Sequence, residues 1–73
     1  MEEKVLEIVN QIRKNNNLDG LSNLNKTDNL RDDLGFTSFD LAELTVKIED
    51  VYNIDIFEDG LVNTVGEIFQ KLS

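Results

Sequence analysis

Leu34-Gly35-Phe36-Thr37-Ser38-Phe39-Asp40-Leu41, with the run that follows it to Tyr52, decides the fold of this chain. Glycine after leucine marks a loop that tightens at Gly35. Beyond it, Leu41, Leu44, Ile48 and Val51 recur at i, i+3, i+7 and i+10, an apolar stripe at the helical period flanked by Thr45 and Tyr52. Thr37 is a favourable N-cap, and Asp40 three residues on completes a Thr-x-x-Asp pattern of the capping-box kind. The acidic side chain also suits the positive end of the helix dipole. Ser38 therefore falls at the first helical position, with an exposed hydroxyl near free backbone N–H groups. That environment favours a phosphate attached to, or held near, the serine.

The opposite face of the same helix carries a second signal. Phe39 and Val46 lie about 180° around from the Leu44/Ile48 stripe at about 100° per residue. Glu43 and Asp50 share that outward face. An aromatic ringed by carboxylates reads as a docking surface, with apolar anchors for affinity and acidic groups that steer a basic partner. The alternative is that Phe39 folds back onto the preceding loop and packs there.

Working outward, residues 2 to about 16 read as a first helix. Val5, Ile8, Val9 and Ile12 form its stripe, with Glu2 and Glu3 in the first turn and Arg13 and Lys14 in the last. Asn15-Asn16-Asn17 is the stop, since asparagine tolerates the left-handed conformation. From Leu18 to Gly35 the chain is Asn, Asp, Gly and Ser punctuated by Leu18, Leu21, Leu24, Leu30 and Leu34, without a sustained period. This predicts a long ordered loop with a short helical turn, pinned by its leucines. Loops of this length are often functional; the alternative is a structural crossover that lets two helices run parallel. After Asn53-Ile54-Asp55-Ile56, Phe57 to Asn63 could form a short helix with Leu61 and Val62 buried, although Gly60 weakens it. Thr64-Val65-Gly66-Glu67 is another capping box, opening a last helix with Val65, Ile68, Phe69 and Leu72 on its apolar side. The expected architecture is all-α: one domain spanning residues 1–73, a small three-to-four-helix bundle with a long loop between helices one and two.

Composition bounds the chemistry. The 73 residues include 7 basic and 15 acidic ones, a net charge of −8. Such a balance disfavours nucleic acid and anionic membrane surfaces and favours basic protein partners. No basic leader or membrane-length apolar run is evident, so a cytoplasmic location is expected. With no histidine and no cysteine, there is no imidazole base, thiol nucleophile or usual zinc site. Two acidic stretches fail as calcium loops. With Gly60 at the sixth position, Phe57 falls third and Gly66 twelfth; with Gly20 there, Lys26 falls last. No metal site is expected, and an independent enzyme is disfavoured.

Asp33-Leu34-Gly35-Phe36-Thr37-Ser38-Phe39-Asp40-Leu41-Ala42-Glu43-Leu44 resembles the signature of the acyl carrier protein family. The likeness extends through Ile48-Glu49-Asp50-Val51-Tyr52-Asn53-Ile54-Asp55-Ile56, similar to the end of that family's second helix. Thr64-Val65-Gly66-Glu67-Ile68 is similar to the start of its last helix. The resemblance implies that Ser38 carries 4′-phosphopantetheine through a phosphodiester, delivered from coenzyme A by a phosphopantetheinyl transferase with Mg²⁺ on the phosphates. Acyl or aminoacyl groups would ride as thioesters on the only thiol, that of the arm. The protein would be a non-catalytic, monomeric substrate of loading enzymes, synthases and transferases with basic docking surfaces. Thr37, Phe39, Asp40, Glu43, Val46, Glu49 and Asp50 match the family's docking positions. Departures are also visible. Thr37 stands where the family most often has aspartate, Phe39 replaces a common leucine, Lys47 adds a cation, and Phe57 stands where proline is frequent. They suggest a specialised carrier for fatty-acid, polyketide, lipid-modifying or aminoacyl (including D-alanyl) chemistry. The alternative is an acidic interaction domain that is never modified.

Overall fold

A computed structural model describes residues 1–73. It contains three helices, α1 (Glu2–Asn15), α2 (Ser38–Tyr52) and α3 (Val65–Leu72). The one strand-like contact is an isolated antiparallel bridge between Asn29 and Thr64. The chain is therefore all-α, with three helices. The segment from Phe57 to Asn63 forms isolated turns, closed by the N–H of Glu58 on the Asp55 carbonyl and that of Gly60 on the Phe57 carbonyl, each 3.2 Å. Gly60, at φ +135°, lies outside helical backbone space and stops propagation. Val62 is buried as expected, but Leu61, directly after the bend at Gly60, is 85% exposed.

α1 ends at the asparagine run. Asn16 caps it with φ −96°, and the left-handed residue is Asn17, at φ +63°. α2 ends at Asn53, left-handed at φ +59°, whose N–H reaches the Glu49 carbonyl at 2.7 Å. All four predicted stripe residues of α1 are buried. In α2 Leu44 and Ile48 are fully buried, Leu41 and Tyr52 are half-buried at the edge of the core, and Val51 is exposed. Val51 lies only about 20° around the helix from buried Leu44, so its exposure follows from its place in the last turn, where Tyr52 takes the core side.

Two bonds fix the helix directions. The Tyr52 hydroxyl donates to the Met1 carbonyl at 3.2 Å, and Arg13 Nη1 donates to the Leu34 carbonyl at 2.7 Å. The end of α2 meets the start of α1, and the end of α1 meets the approach to α2, so these helices are antiparallel. The alternative reading, a crossover that lets the two helices run parallel, is thus overturned. The loop instead makes a return trip. It doubles back along α1, where the Asn10 amide donates to the Leu21 carbonyl and accepts the Leu21 N–H. It then reaches the start of α3. There the N–H of Val65 meets the Asp28 carbonyl at 3.0 Å, and that of Gly66 the Lys26 carbonyl at 2.9 Å. These contacts satisfy two of the helix's orphan donors; Thr64 Oγ1 takes a third, from Glu67, at 3.3 Å. Glu67 returns its carboxylate to the Asn63 N–H and the Thr64 hydroxyl, so the expected capping box is displaced by one residue.

The core is one cluster of 14 buried apolar side chains, and both connecting loops contribute to it through Leu30, Leu34, Phe36, Ile56 and Val62. Leu21 and Leu24 pack against its edge, whereas Leu18 is exposed. Burying a side chain such as Leu30 contributes about 1.5–3 kcal/mol, comparable to one in a helix. The long loop is thereby a structural layer of the fold, and it sets the position of Ser38.

Candidate functional site

The approach to Ser38 is built from several short-range constraints. The Asn29 side chain accepts the N–H groups of Arg31 and Asp32, each at 2.9 Å, and Asp33 Oδ2 accepts the Asn29 N–H at 2.6 Å. These bonds wind residues 29–34 into one helical turn. Arg13 staples its end through the Leu34 carbonyl and holds the Asp19 carbonyl at 2.8 Å. Gly35 then reverses the chain at φ +78°, a conformation costly for other residues. Phe36 drops into the core, its N–H on the Leu30 carbonyl at 3.0 Å.

Thr37 caps α2 from extended backbone. Its Oγ1 accepts the Asp40 N–H at 3.2 Å, while Asp40 Oδ2 accepts the Thr37 N–H at 2.9 Å and the Thr37 hydroxyl at 3.1 Å. The reciprocal box places Ser38 at the first position of α2, exposed. The N–H groups of Ser38 and Phe39 have no intrahelical carbonyl within reach, as at any helix start. They and the dipole make this a site of positive potential in an acidic protein.

Arg31, seven residues upstream, donates from Nη2 to Ser38 Oγ at 2.7 Å. Sequence reasoning missed this residue, because an arginine in an irregular turn carries no periodic signal. Its one visible mark was being the only cation between Asp28 and Asp40. Beside Ser38 lies a shallow cleft of about 240 Å³, lined by Arg31, Leu41, Ala42, Phe57 and Leu61. Leu41 and Phe57 are half-buried against the core and form its floor. A phosphodiester on Ser38 fits these surroundings: the hydroxyl is accessible, a guanidinium and unpaired N–H groups face the anion, and an apolar surface lies alongside for the uncharged part of an arm.

The family model described as the phosphopantetheine attachment site matches residues 4–71. The chain belongs to this family. It is an acyl-carrier-type protein, and members carry covalently attached 4′-phosphopantetheine. Carrier domains of the family are generally non-catalytic, are modified by a phosphopantetheinyl transferase and interact with biosynthetic enzymes. Searches of the curated proteins and of the solved structures return no significant match.

On the carrier's outward α2 face, Phe39 is 79% and Val46 67% exposed. Phe39 does not fold back onto the loop. Glu49 and Asp50 are exposed with them, and Val46, Glu49, Asp50 and Asn53 line one open concavity. Glu43 is half-buried and faces Lys47 at 3.8 Å, so part of its charge is met within the helix. Thr37 is exposed, but its side-chain oxygen is committed to the cap. Asp40 is a correction to the docking set: it is only 4% exposed, and its carboxylate is spent on Thr37, so it offers no surface to a partner. Burial tends to raise its pKa. Hydrogen bonds from the Thr37 N–H, the Asn16 side chain and the Thr37 hydroxyl outweigh that and hold the carboxyl below its usual range. No group of three or more carboxylates is arranged to hold a metal ion, and no helix is long and apolar enough to cross a membrane.

Proposed function

We propose that Ser38 is the attachment point of the 4′-phosphopantetheine and that the protein presents acyl or aminoacyl cargo to partner enzymes through the outward face of α2. The observation that carries this reading is the exposed Ser38 hydroxyl at the first position of a capped helix, within a chain that matches the attachment-site family over residues 4–71. When attached, the arm supplies the terminal thiol that this cysteine-free chain lacks and on which cargo is held as a thioester.

The chain's own residues do the rest. Thr37 and Asp40 fix the start of α2 and so the direction in which Ser38 points. Phe39 and Val46 offer apolar anchors, and Glu49 and Asp50, with the exposed side of Glu43, attract a basic partner surface. Thr37 in place of an acidic residue, and Phe39 as the first anchor, favour a specialised partner set: a dedicated fatty-acid, polyketide or aminoacyl system in the cytoplasm, served by a monomeric carrier.

Intact mass spectrometry tests the reading. After incubation with coenzyme A, Mg²⁺ and a broad-specificity phosphopantetheinyl transferase, the protein gains one phosphopantetheine, and Ser38→Ala gains none. A wild-type protein that several transferases leave unchanged would overturn the proposal and return the chain to the class of unmodified interaction domains.

A further inference from the structure

Seven basic side chains balance little of this chain's acidity, and most of them are accounted for. Lys4, Lys47 and Lys71 pair with Glu7, Glu43 and Asp59. Arg13 is consumed by two loop carbonyls. Arg31 is different. It follows Asn29 and precedes Asp32 and Asp33, yet no carboxylate lies within ion-pair distance of it. Its guanidinium instead crosses seven residues to a neutral hydroxyl, that of Ser38, at 2.7 Å. A guanidinium has five N–H donors, and this contact uses one. Arg31 is exposed, makes no other side-chain hydrogen bond, and lines the cleft with Leu41, Ala42, Phe57 and Leu61.

We propose that Arg31 is a positioning residue for the prosthetic arm: it holds the phosphodiester on Ser38 by a charge-assisted, forked contact. The inference rests on the attachment reading above. In the unmodified protein Ser38 Oγ is the acceptor from Arg31, so the hydroxyl's own proton is free to leave toward an external base. Once Oγ becomes an ester oxygen, its basicity falls and the negative charge sits on the non-bridging oxygens of the same phosphorus. These would lie one bond beyond the phosphorus, within reach of a guanidinium that already contacts Oγ at 2.7 Å. The contact can pass from Oγ to them without a backbone change. It gains strength in passing, because a bond to an anion is about twice as strong as one to a neutral acceptor, and a planar fork matches two phosphate oxygens. The turn that carries Arg31 is held by the N–H groups of Arg31 and Asp32 on the Asn29 side-chain oxygen, not by the Arg31 side chain, so the device is separable from the fold. Held at the phosphate, the arm leaves Ser38 beside the Leu41–Phe57 floor, where unrestrained it would sweep freely over α2.

The test uses fully loaded protein, in wild-type, Arg31→Ala and Arg31→Lys forms, each shown by intact mass to carry one phosphopantetheine. The ³¹P resonance of the wild-type phosphodiester is expected broadened and shifted from its free position, that of the same diester in the urea-unfolded loaded protein. In Arg31→Ala it narrows and moves to the free position; Arg31→Lys, which keeps the charge without the fork, lies between. Salt at 1 M moves the wild-type signal the same way, as screening predicts for an exposed contact. The Arg31 Nη signals of the wild type shift on loading. The unmodified Arg31→Ala protein melts at the wild-type temperature, which separates loss of the contact from loss of the fold. Identical ³¹P signals in loaded wild-type and Arg31→Ala proteins would overturn the role of Arg31 alone. A wild-type chain that accepts no phosphopantetheine would overturn the attachment reading, and this inference with it.

Discussion

Asp40 shows how one carboxylate can be spent on architecture in a protein whose other acidic groups face water. It closes the box with Thr37 and is nearly buried beneath Ser38. Because its pKa is lowered in the folded state, it contributes stability that is fully present above the unfolded value of about 3.9 and is lost as pH falls through the folded value. Asp40→Asn keeps the shape and removes the charge. We expect it to cost about 1 kcal/mol at pH 7, within the range for a hydrogen bond to a charged group in a cap. The difference from wild type should vanish below the folded pKa. Urea midpoints followed from pH 7 down through the acid range check both statements; a deficit that persists unchanged in acid would mean that packing, not charge, is lost. The Thr-x-x-Asp spacing made this cap legible before any coordinates. It did not reveal that capping removes Asp40 from the docking surface, since burial of a short side chain depends on α1 and the loop closing over it.

At the scale of the element, α2 divides cleanly. Leu44 and Ile48 are fully buried, and truncating either to alanine belongs to a class of change that costs about 2–5 kcal/mol. Phe39 and Val46 belong to the opposite face. Phe39→Ala should leave helicity and melting temperature near wild type while weakening turnover by partner enzymes. A loss of helicity in circular dichroism would show that the ring packs against the fold. The stripe period predicted the buried pair, and it failed at Val51 because period says nothing of where along the axis the contact ends: in the last turn Tyr52, not Val51, packs on the core. The helix imagined over Phe57 to Asn63 failed for a different reason. Gly60 already weakened it on sequence; its positive φ ends the turn there, and Leu61 lies in solvent. Spacing could not show why residue 66 is glycine: a Cβ there would lie 3.0 Å from the Lys26 carbonyl oxygen, a partner 40 positions away.

For the whole molecule, a net charge of −8 is met by three ion pairs, all with partly exposed partners, each contributing little by itself. Self-repulsion among the remaining carboxylates should therefore limit stability. Added NaCl or Mg²⁺ is expected to raise the melting temperature, with the divalent ion effective at lower concentration. A flat or falling response in differential scanning calorimetry would show that the carboxylates are already neutralised by their surroundings. The fold class was legible because three helices carry strong apolar periods. The path of residues 18–35 was not, because it is fixed by bonds between distant segments, such as the Leu30 N–H on the Asn63 carbonyl and the Asn10 amide on Leu21.

The separation of the two faces of α2 has an evolutionary consequence. Substitutions at exposed positions away from caps and core usually change stability by no more than about 0.5 kcal/mol. Phe39, Val46, Glu49 and Asp50 occupy such positions, and none of them anchors the core or the turn that holds Ser38. If clients dock on this surface, as proposed, a lineage can exchange one client enzyme for another by drift along it, while the serine and its setting are inherited intact.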